Sequence, residues 1–357
     1  MKKFLRVYIS LFLSIFILTN SIFFVSAENI ELTYSGGLIP DLWTDWEPYL
    51  FNEDISTYAL PSHIDNSELF PSPGNQGNSK SCAAWALSYA LKSSQEYLKR
   101  NWSTTENSHL FSPTYTYHKI NNGENNGASF LDTLNSLISD GACPISYYPI
   151  NNDNYNDTSD LYDNAAAALY KIIDFSLLTT RDQIKTQVAM GNGVVIGIKI
   201  YNDLRTLSET NDTYNYIAPN ETAGPLGHAV CIVGYDNSKN AFKFINSWGT
   251  EWGIDGYGWI SYDFVESSNI NMVGSNYGII IYTPDTDNYV MGDINDDGVI
   301  TAADAQLALQ ISSQSTTFTP RQYVLADVDG NGTVTAADAR NILNYSAGIL
   351  TKFPLYE

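Results

Sequence analysis

Cysteine is scarce in this chain: Cys82, Cys143 and Cys231 are the only three in 357 residues. A disulfide-stapled scaffold is excluded by so few. Positive charge is equally thin, with 18 Lys and Arg against 39 Asp and Glu and a formal net charge of −21. So acidic a surface argues against nucleic acid or anionic lipid as a partner, and it supplies the carboxylates that calcium sites need. Apolar runs long enough to cross a membrane are missing after residue 25. Histidine is rare too. His63, His109 and His118 lie in polar or aromatic settings without a motif and read as surface or loop residues.

The one long apolar run is at the start. Met1-Lys2-Lys3 and Arg6 precede Val7 to Val25, and Val25-Ser26-Ala27 follows. A basic start, an apolar core and small residues predict a secretory signal peptide over 1–27, with an uncleaved anchor as the alternative. Its removal takes three basic and no acidic residues, so the formal charge falls from −21 to −24. No membrane association is then expected, and the expected location is extracellular.

Asn75 to Leu87 is the stretch on which the rest turns. A Gly/Asn/Ser loop runs into Ala83 to Leu91, rich in helix formers, and Cys82 sits at the junction. A cysteine at a helix N-terminus feels the positive end of the helix dipole, which favours the nucleophilic thiolate. Alone, Cys82 would read as a buried structural thiol. Far downstream stand Gly227-His228-Ala229-Val230 and Asn246-Ser247-Trp248-Gly249. Cys, His and Asn in this order, far apart, are the layout of a thiol hydrolase.

On these motifs, with Gln76-Gly77 six and five positions before Cys82, the chain resembles the papain-like cysteine peptidases. The resemblance implies an α+β, two-lobed fold, a helical lobe plus a β-barrel-like lobe, with the cleft between them. It implies Cys82 as nucleophile, His228 as proton carrier, Asn246 as the orienting amide, Gln76 as oxyanion donor and Trp248 as a shield for the His–Asn bond, with no catalytic cofactor. A resting thiolate–imidazolium pair is expected. Gly127 and Gly227 are the expected substrate-binding positions. One departure is that Ala83 follows the nucleophile where the family usually has Trp, with Trp85 two residues later. Ser79 stands where relatives often have a bridging cysteine. A Cys143–Cys231 bridge stays open, though Cys231 reads as a core thiol.

After residue 283 the composition shifts and a repeat appears. Asp293, Asn295, Asp297, Gly298, Val299 and Asp304 align with Asp327, Asp329, Asn331, Gly332, Thr333 and Asp338, 34 residues on. Oxygen side chains at loop positions 1, 3, 5 and 12, glycine at 6 and the position-7 carbonyls of Val299 and Thr333 predict two Ca2+ loops. An apolar helix follows each. Asp at position 12 and the lack of an entering helix make the module similar to a dockerin, a small all-α calcium-binding domain. That resemblance implies a cohesin module of a scaffold protein as partner, with Ala302, Ala303, Ala336 and Ala337 at the docking positions and both copies equivalent.

The expected organisation is therefore signal peptide 1–27, short N-terminal or pro segment 28–58, peptidase domain 59–283, linker 284–289 and dockerin 290–351. The expected function is a secreted cysteine endopeptidase borne on a cellulosome-like scaffold. A non-catalytic binding or inhibitor-like module and an exopeptidase are the alternatives. The exopeptidase would need a cleft-blocking insertion, for which residues 201–222 are the candidate.

Overall fold

The computed structural model describes residues 36–51, 60–215, 227–266, 278–283 and 289–356. The expected signal peptide, most of the linker and part of the 201–222 loop lie outside the described residues. Among the described residues no helix is long and apolar enough to cross a membrane.

The helical layer is led by one continuous helix. Cys82–Ala84, Trp85–Lys92 and Ser93–Arg100 follow without a break, and the middle part is π-wound. Such widened turns are uncommon and often lie near functional sites. Asn101, in the left-handed region at φ 57°, ends it. Pro113–Ile120 and Phe130–Ser139 pack beside it, each entered by a serine whose hydroxyl accepts an N–H of the first turn. One buried ionic group sits inside this layer. Lys92, Glu96 and Arg100 are spaced four apart on the long helix, and Glu96 bonds both cations.

The second layer is an eight-stranded sheet. Its strands are β1 (His63–Asp65), β2 (Asp174–Leu178), β3 (Val194–Ile198), β4 (Thr213–Tyr214), β5 (His228–Asp236), β6 (Ala241–Ile245), β7 (Tyr257–Ser261) and β8 (Gly278–Tyr282). The order is β2-β8-β3-β5-β6-β7-β4, with β1 also on β5. Alternation decides the packing. Ala229, Cys231 and Val233 of β5 join the core shared with the helices, whereas Val230 and Ile232 join a second core with Trp248, Trp252 and Phe264. Both faces of β5 are thus buried, and His228 lies at its first residue.

Residues 36–51 form a belt around this body. Leu38 is fully buried and bridges both Ala128 and Gly227. The carboxylate of Asp41 accepts the N–H groups of Phe130 and Leu131 at a helix N-terminus. Trp46 and Tyr49 pack on Phe175, and Phe51 bonds the carbonyl of Leu177 in β2.

The C-terminal module has helices Ala302–Ser312, Pro320–Ala326 and Ala336–Ser346. The middle one corrects the expectation of no entering helix, since it ends at Asp327, the first residue of the second loop. Thr319, Pro320 and Gln322 start it as a capping box, a signal already present in the sequence.

Two of the histidines also correct the sequence reading. His109 and His118 are buried. His109 stacks on Trp102 at 4.7 Å, and its ring meets the N–H of Ser103 and the carbonyl of Leu355. His118 lies between the Tyr148 hydroxyl and the carbonyl of Asn154. Polar flanks do not forbid burial once each ring nitrogen has a partner.

Candidate active site

The loop before the long helix is tied to the β lobe by backbone pairing. Gln76 N–H donates to the Ser247 carbonyl at 2.8 Å, and Gly249 N–H donates to that of Gly74 at 2.8 Å. This places Gln76 beside the Asn246–Ser247 turn. The amide of Gln76 is held at both ends: Nε2 donates to the Ser79 carbonyl at 2.7 Å, and Oε1 accepts the Ser247 hydroxyl at 2.6 Å. Ser247 was not singled out from the sequence. Its place inside the Asn-Ser-Trp-Gly motif was the available signal.

His228 Nε2 and Asn246 Oδ1 are 2.6 Å apart. The same Oδ1 accepts the N–H of Ser247 at 2.8 Å. An oxygen that accepts from a backbone N–H is an acceptor toward the imidazole as well, so the ring proton belongs on Nε2. Nδ1 then carries a lone pair, and it is buried without a hydrogen-bond partner among the described residues. The indole of Trp248 stacks on the ring at 4.5 Å and 24°. Trp252 meets Trp248 edge-on and is anchored by Nε1 to the Leu204 carbonyl at 3.0 Å.

Cys82 begins the long helix as expected and lies against the start of β5. Burial pushes the thiol up to about 12, against the opposing pull of the N–H groups of Ala229, Ala83, Cys82 and Leu38. Burial likewise holds His228 down at about 4, with the Asn246 bond opposing and Arg205 adding to the effect. In this closed site burial opposes the charged form of each partner in the ion pair expected from the motifs. The belt adds to that burial. Leu38 is itself fully buried between Ala128 and Gly227, and low dielectric disfavours either charge.

The belt lies where Gly127 and Gly227 were expected to meet substrate. Leu38 N–H donates to the Gly227 carbonyl at 3.1 Å, and Gly227 N–H to that of Leu38 at 2.9 Å. On the other side Ile39 N–H donates to the Ala128 carbonyl, and Ala128 N–H to that of Gly37, each at 3.0 Å. Side chains would not fit here. A Cβ on Gly127, which sits at φ +99°, would come within 2.2 Å of the Gly37 carbonyl oxygen, and one on Gly37 within 2.1 Å of that of Lys80.

Ala83 leaves the helix start slim, and Trp85 fills space elsewhere. It packs on Gly74 and Tyr89 and lines a small cavity with Asn246 and Ser247. All three cysteines are free and buried, so Cys143 and Cys231 form no bridge.

In the C-terminal module Asp293, Asp304, Asp327 and Asp338 are buried. Asp304 and Asp338 each close a capping box with Thr301 and Thr335. Carboxylate oxygens of Asp327, Asp329 and Asp338 lie within 4.8 Å of one another. Burial, with Asp338 and Asp329 nearby, raises Asp327 to about 7 despite the Tyr147 and Gly332 bonds. Among the described residues no Lys or Arg pairs with these carboxylates. A hard, oxygen-seeking cation fits that donor set. Ala302, Ala303 and Ala336 are exposed and Ala337 is half-buried. Leu309 and Leu343, equivalent in the repeat, are also exposed.

Comparison with known proteins places these features. A family model described as papain family cysteine protease matches residues 60–277, and one described as dockerin type I domain matches 291–345. An uncharacterized peptidase C1-like protein of Acanthamoeba polyphaga mimivirus is 27% identical over 238 residues, covering 63% of this chain and 75% of its own. Peptidase 1 of Euroglyphus maynei is 28% identical over 234 residues, covering 61% of this chain and 64% of its own. Xylellain, a cysteine protease from Xylella fastidiosa, shares the fold with a TM-score of 0.57 at 24% identity, over 70% of this chain and 96% of its own. The papain-family match takes in more than half of the residues. The chain belongs to the papain family of cysteine proteases and carries a C-terminal dockerin type I domain.

Proposed function

We propose that this peptidase is an endopeptidase working through Cys82, His228, Asn246 and Gln76, latent while residues 36–39 lie in the cleft, and borne on a scaffold by its dockerin. The observation that carries the catalytic reading is the fixed tautomer of His228. Its proton is on Nε2 toward Asn246, so Nδ1 is the nitrogen able to take the thiol proton.

The chemistry then follows from the placement. With the belt displaced, water re-enters and both pKa shifts relax toward a thiolate–imidazolium pair. The Cys82 sulfur attacks the peptide carbonyl carbon and the carbonyl electron pair moves to oxygen. Gln76 Nε2–H and the Cys82 backbone N–H stabilise that oxyanion, each such donor being worth roughly 3 kcal/mol. As the intermediate collapses, the C–N bond breaks and the Nδ1 proton passes to the leaving amine. Water, losing a proton to Nδ1, then cleaves the thioester and restores the thiol site. Asn246 keeps the ring oriented, and Trp248 keeps water from that bond.

The described part of the candidate blocking loop does not favour an exopeptidase. Leu204, Leu207 and Tyr214 are buried in the β-lobe core and β4 pairs with β7. Those anchors hold the described part of the segment on the β lobe.

Two calcium ions would be held by Asp293, Asn295, Asp297, the Val299 carbonyl and Asp304, and by Asp327, Asp329, Asn331, the Thr333 carbonyl and Asp338. Bound there, the ions supply the positive charge that the buried carboxylates lack. The exposed Ala302, Ala303, Leu309, Ala336 and Leu343 support a surface open to a cohesin. Secretion follows from the leader-like residues 1–27.

The test is digestion of casein by a chain starting at residue 60, beside the chain from residue 28 and Cys82→Ala, under reducing conditions with calcium. Internal cuts that require Cys82 support the reading. Cuts only at chain ends would make it an exopeptidase, and no cuts from the chain starting at residue 60 would leave a binding module.

A further inference from the structure

We propose that the peptidase body completes the second calcium loop through Tyr147, and that calcium binding there is coupled to the seating of the dockerin on the peptidase. This rests on the calcium reading of the two loops.

The loops match in sequence, but their surroundings do not. Gly298 and Gly332 hold position 6 at the same φ of +87°. A Cβ on Gly298 would meet open space, whereas one on Gly332 would come within 2.6 Å of the Ser146 carbonyl oxygen. A Cβ on Gly330 would come within 2.7 Å of Ser108 Cβ. The second loop therefore lies directly on peptidase residues.

One contact reaches a ligand position. The Tyr147 hydroxyl donates to Asp327 Oδ2 at 2.7 Å, and the same oxygen accepts the Gly332 N–H at 2.9 Å. Its counterpart, Asp293 Oδ2, accepts the Gly298 N–H of its own loop at 2.8 Å. A hydroxyl on one oxygen of a ligating carboxylate fixes the carboxylate's rotation while lone pairs remain for the metal. Loss of such an outer partner typically costs about 10–100-fold in metal affinity.

The loop is also framed by contacts between the same two bodies. Just before it, helix Pro320–Ala326 packs on helix Leu161–Ala168, with the Tyr323 and Tyr162 rings at 4.6 Å. At its side, Leu355 donates its N–H to the Val328 carbonyl at 3.1 Å, while the Leu355 carbonyl meets the ring of His109. A loop ordered from both sides by seating binds calcium more tightly when seated. By reciprocity, calcium strengthens the seating by the same factor. Tyr147 is thus a positioning residue, whereas in the first loop the matching Asp293 Oδ2 is held by the loop's own Gly298 N–H.

The test is calcium titration calorimetry on the chain from residue 28 carrying Cys82→Ala, with two steps expected. Asp293→Asn assigns the first loop and Asp327→Asn the second. Tyr147→Phe should weaken the second-loop step about 10-fold or more and leave the first unchanged. Tyr162→Ala, which removes the ring packed on Tyr323 of the preceding helix, should weaken the same step several-fold and keeps the inference testable if Tyr147→Phe misfolds. X-ray scattering supplies a separate readout: chelation should enlarge the parent chain's radius of gyration. An unchanged second step in either folded variant, or a shift confined to the first-loop step, overturns the coupling. Heat of binding with no Tyr147 effect sinks this inference alone, whereas no heat in the parent sinks the calcium reading itself.

Discussion

Ser247 and Gln76, 171 residues apart in sequence, are joined by a 2.6 Å hydrogen bond in which the serine hydroxyl donates to the amide oxygen. The bond leaves Gln76 one orientation, with its NH₂ toward the Ser79 carbonyl and the helix start. Ser247 also gives its N–H to Asn246 Oδ1. One residue therefore sets both the proposed oxyanion donor and the histidine tautomer. Ser247→Ala should lower kcat about 10-fold with KM little changed, because it loosens a group used mainly in the transition state. Gln76→Ala should cost about 10²–10³-fold. Steady-state kinetics on the chain from residue 60 would check both, and a Ser247→Ala effect confined to KM would refute the orienting role.

The belt makes a second prediction. Leu38 is fully buried between Ala128 and Gly227, and Gly37 has no room for a side chain. Leu38→Asp would bury an unpaired charge, and Gly37→Val would collide with the Lys80 backbone. Either change should expel the belt, raising the initial rate of the chain from residue 28 at least several-fold toward that of the chain from residue 60. Rates as low as the unaltered chain's would mean that the belt does not gate the site.

Much of the site was legible because its chemistry sits in side chains at recognisable spacing: Cys82 at a helix start, His228 at a strand start, Asn246 in its motif. The belt was not, because Gly37, Leu38 and Ile39 act through backbone N–H and carbonyl groups, which every residue possesses. Nothing in a Gly-Gly-Leu stretch says which strands it will lie between. The fold shows the same divide. Phe130–Ser139 and Arg181–Ala189 follow from periodicity and caps. The burial of His109 and His118 depends on partners as distant as the Leu355 carbonyl, which no local pattern reveals.

Acid should open the closed site. Burial holds His228 at about 4, below the 6.5 of a solvated imidazole. A group whose pKa is depressed in the closed state favours that state above its free value and stops doing so as pH falls through the lower one. Between pH 6.5 and 4 the belt should therefore lose up to about 3 kcal/mol of its hold. Hydrogen exchange at the Leu38 and Ile39 amides in Cys82→Ala is the readout, since it does not depend on thiol ionisation. After correction for intrinsic rates, protection should fall across this window. Protection that is flat from pH 7 to 4 would contradict the link to His228.

The buried Lys92–Glu96–Arg100 group predicts a stability effect apart from the chemistry. Burial alone would raise the Glu96 carboxyl, but Lys92 and then Arg100 outweigh it and hold it near 2. Glu96→Gln leaves two cations buried without their anion, a loss of about 3–5 kcal/mol. Calorimetry should show Tm falling by roughly 10 °C or more. Replacing all three residues by Met, Leu and Met should restore much of the stability, because the apolar set carries no desolvation cost. For the native group the depressed pKa places its contribution above pH 4.5, to be lost as pH falls toward 2.

The last prediction concerns the scaffold. Ala302 with Ala303 and Ala336 with Ala337 begin two helices that pack on each other, and Leu309 and Leu343 repeat on their exposed faces. If each copy offers a cohesin the same surface, changing one should be tolerated and changing both should not. Ala302→Arg with Ala303→Arg should leave binding to a type I cohesin within a few-fold. The same change at 336 and 337 together with it should abolish binding. Since the helices start directly from the aspartate loops, chelation should abolish binding in every variant. Peptide hydrolysis by Cys82 should survive that chelation, because no catalytic group lies in the loops. Surface plasmon resonance beside a peptide assay would read both quantities on one preparation. Loss of binding from the single-copy change would show that the seating of the second loop on Ser146 and Tyr147 leaves one working face.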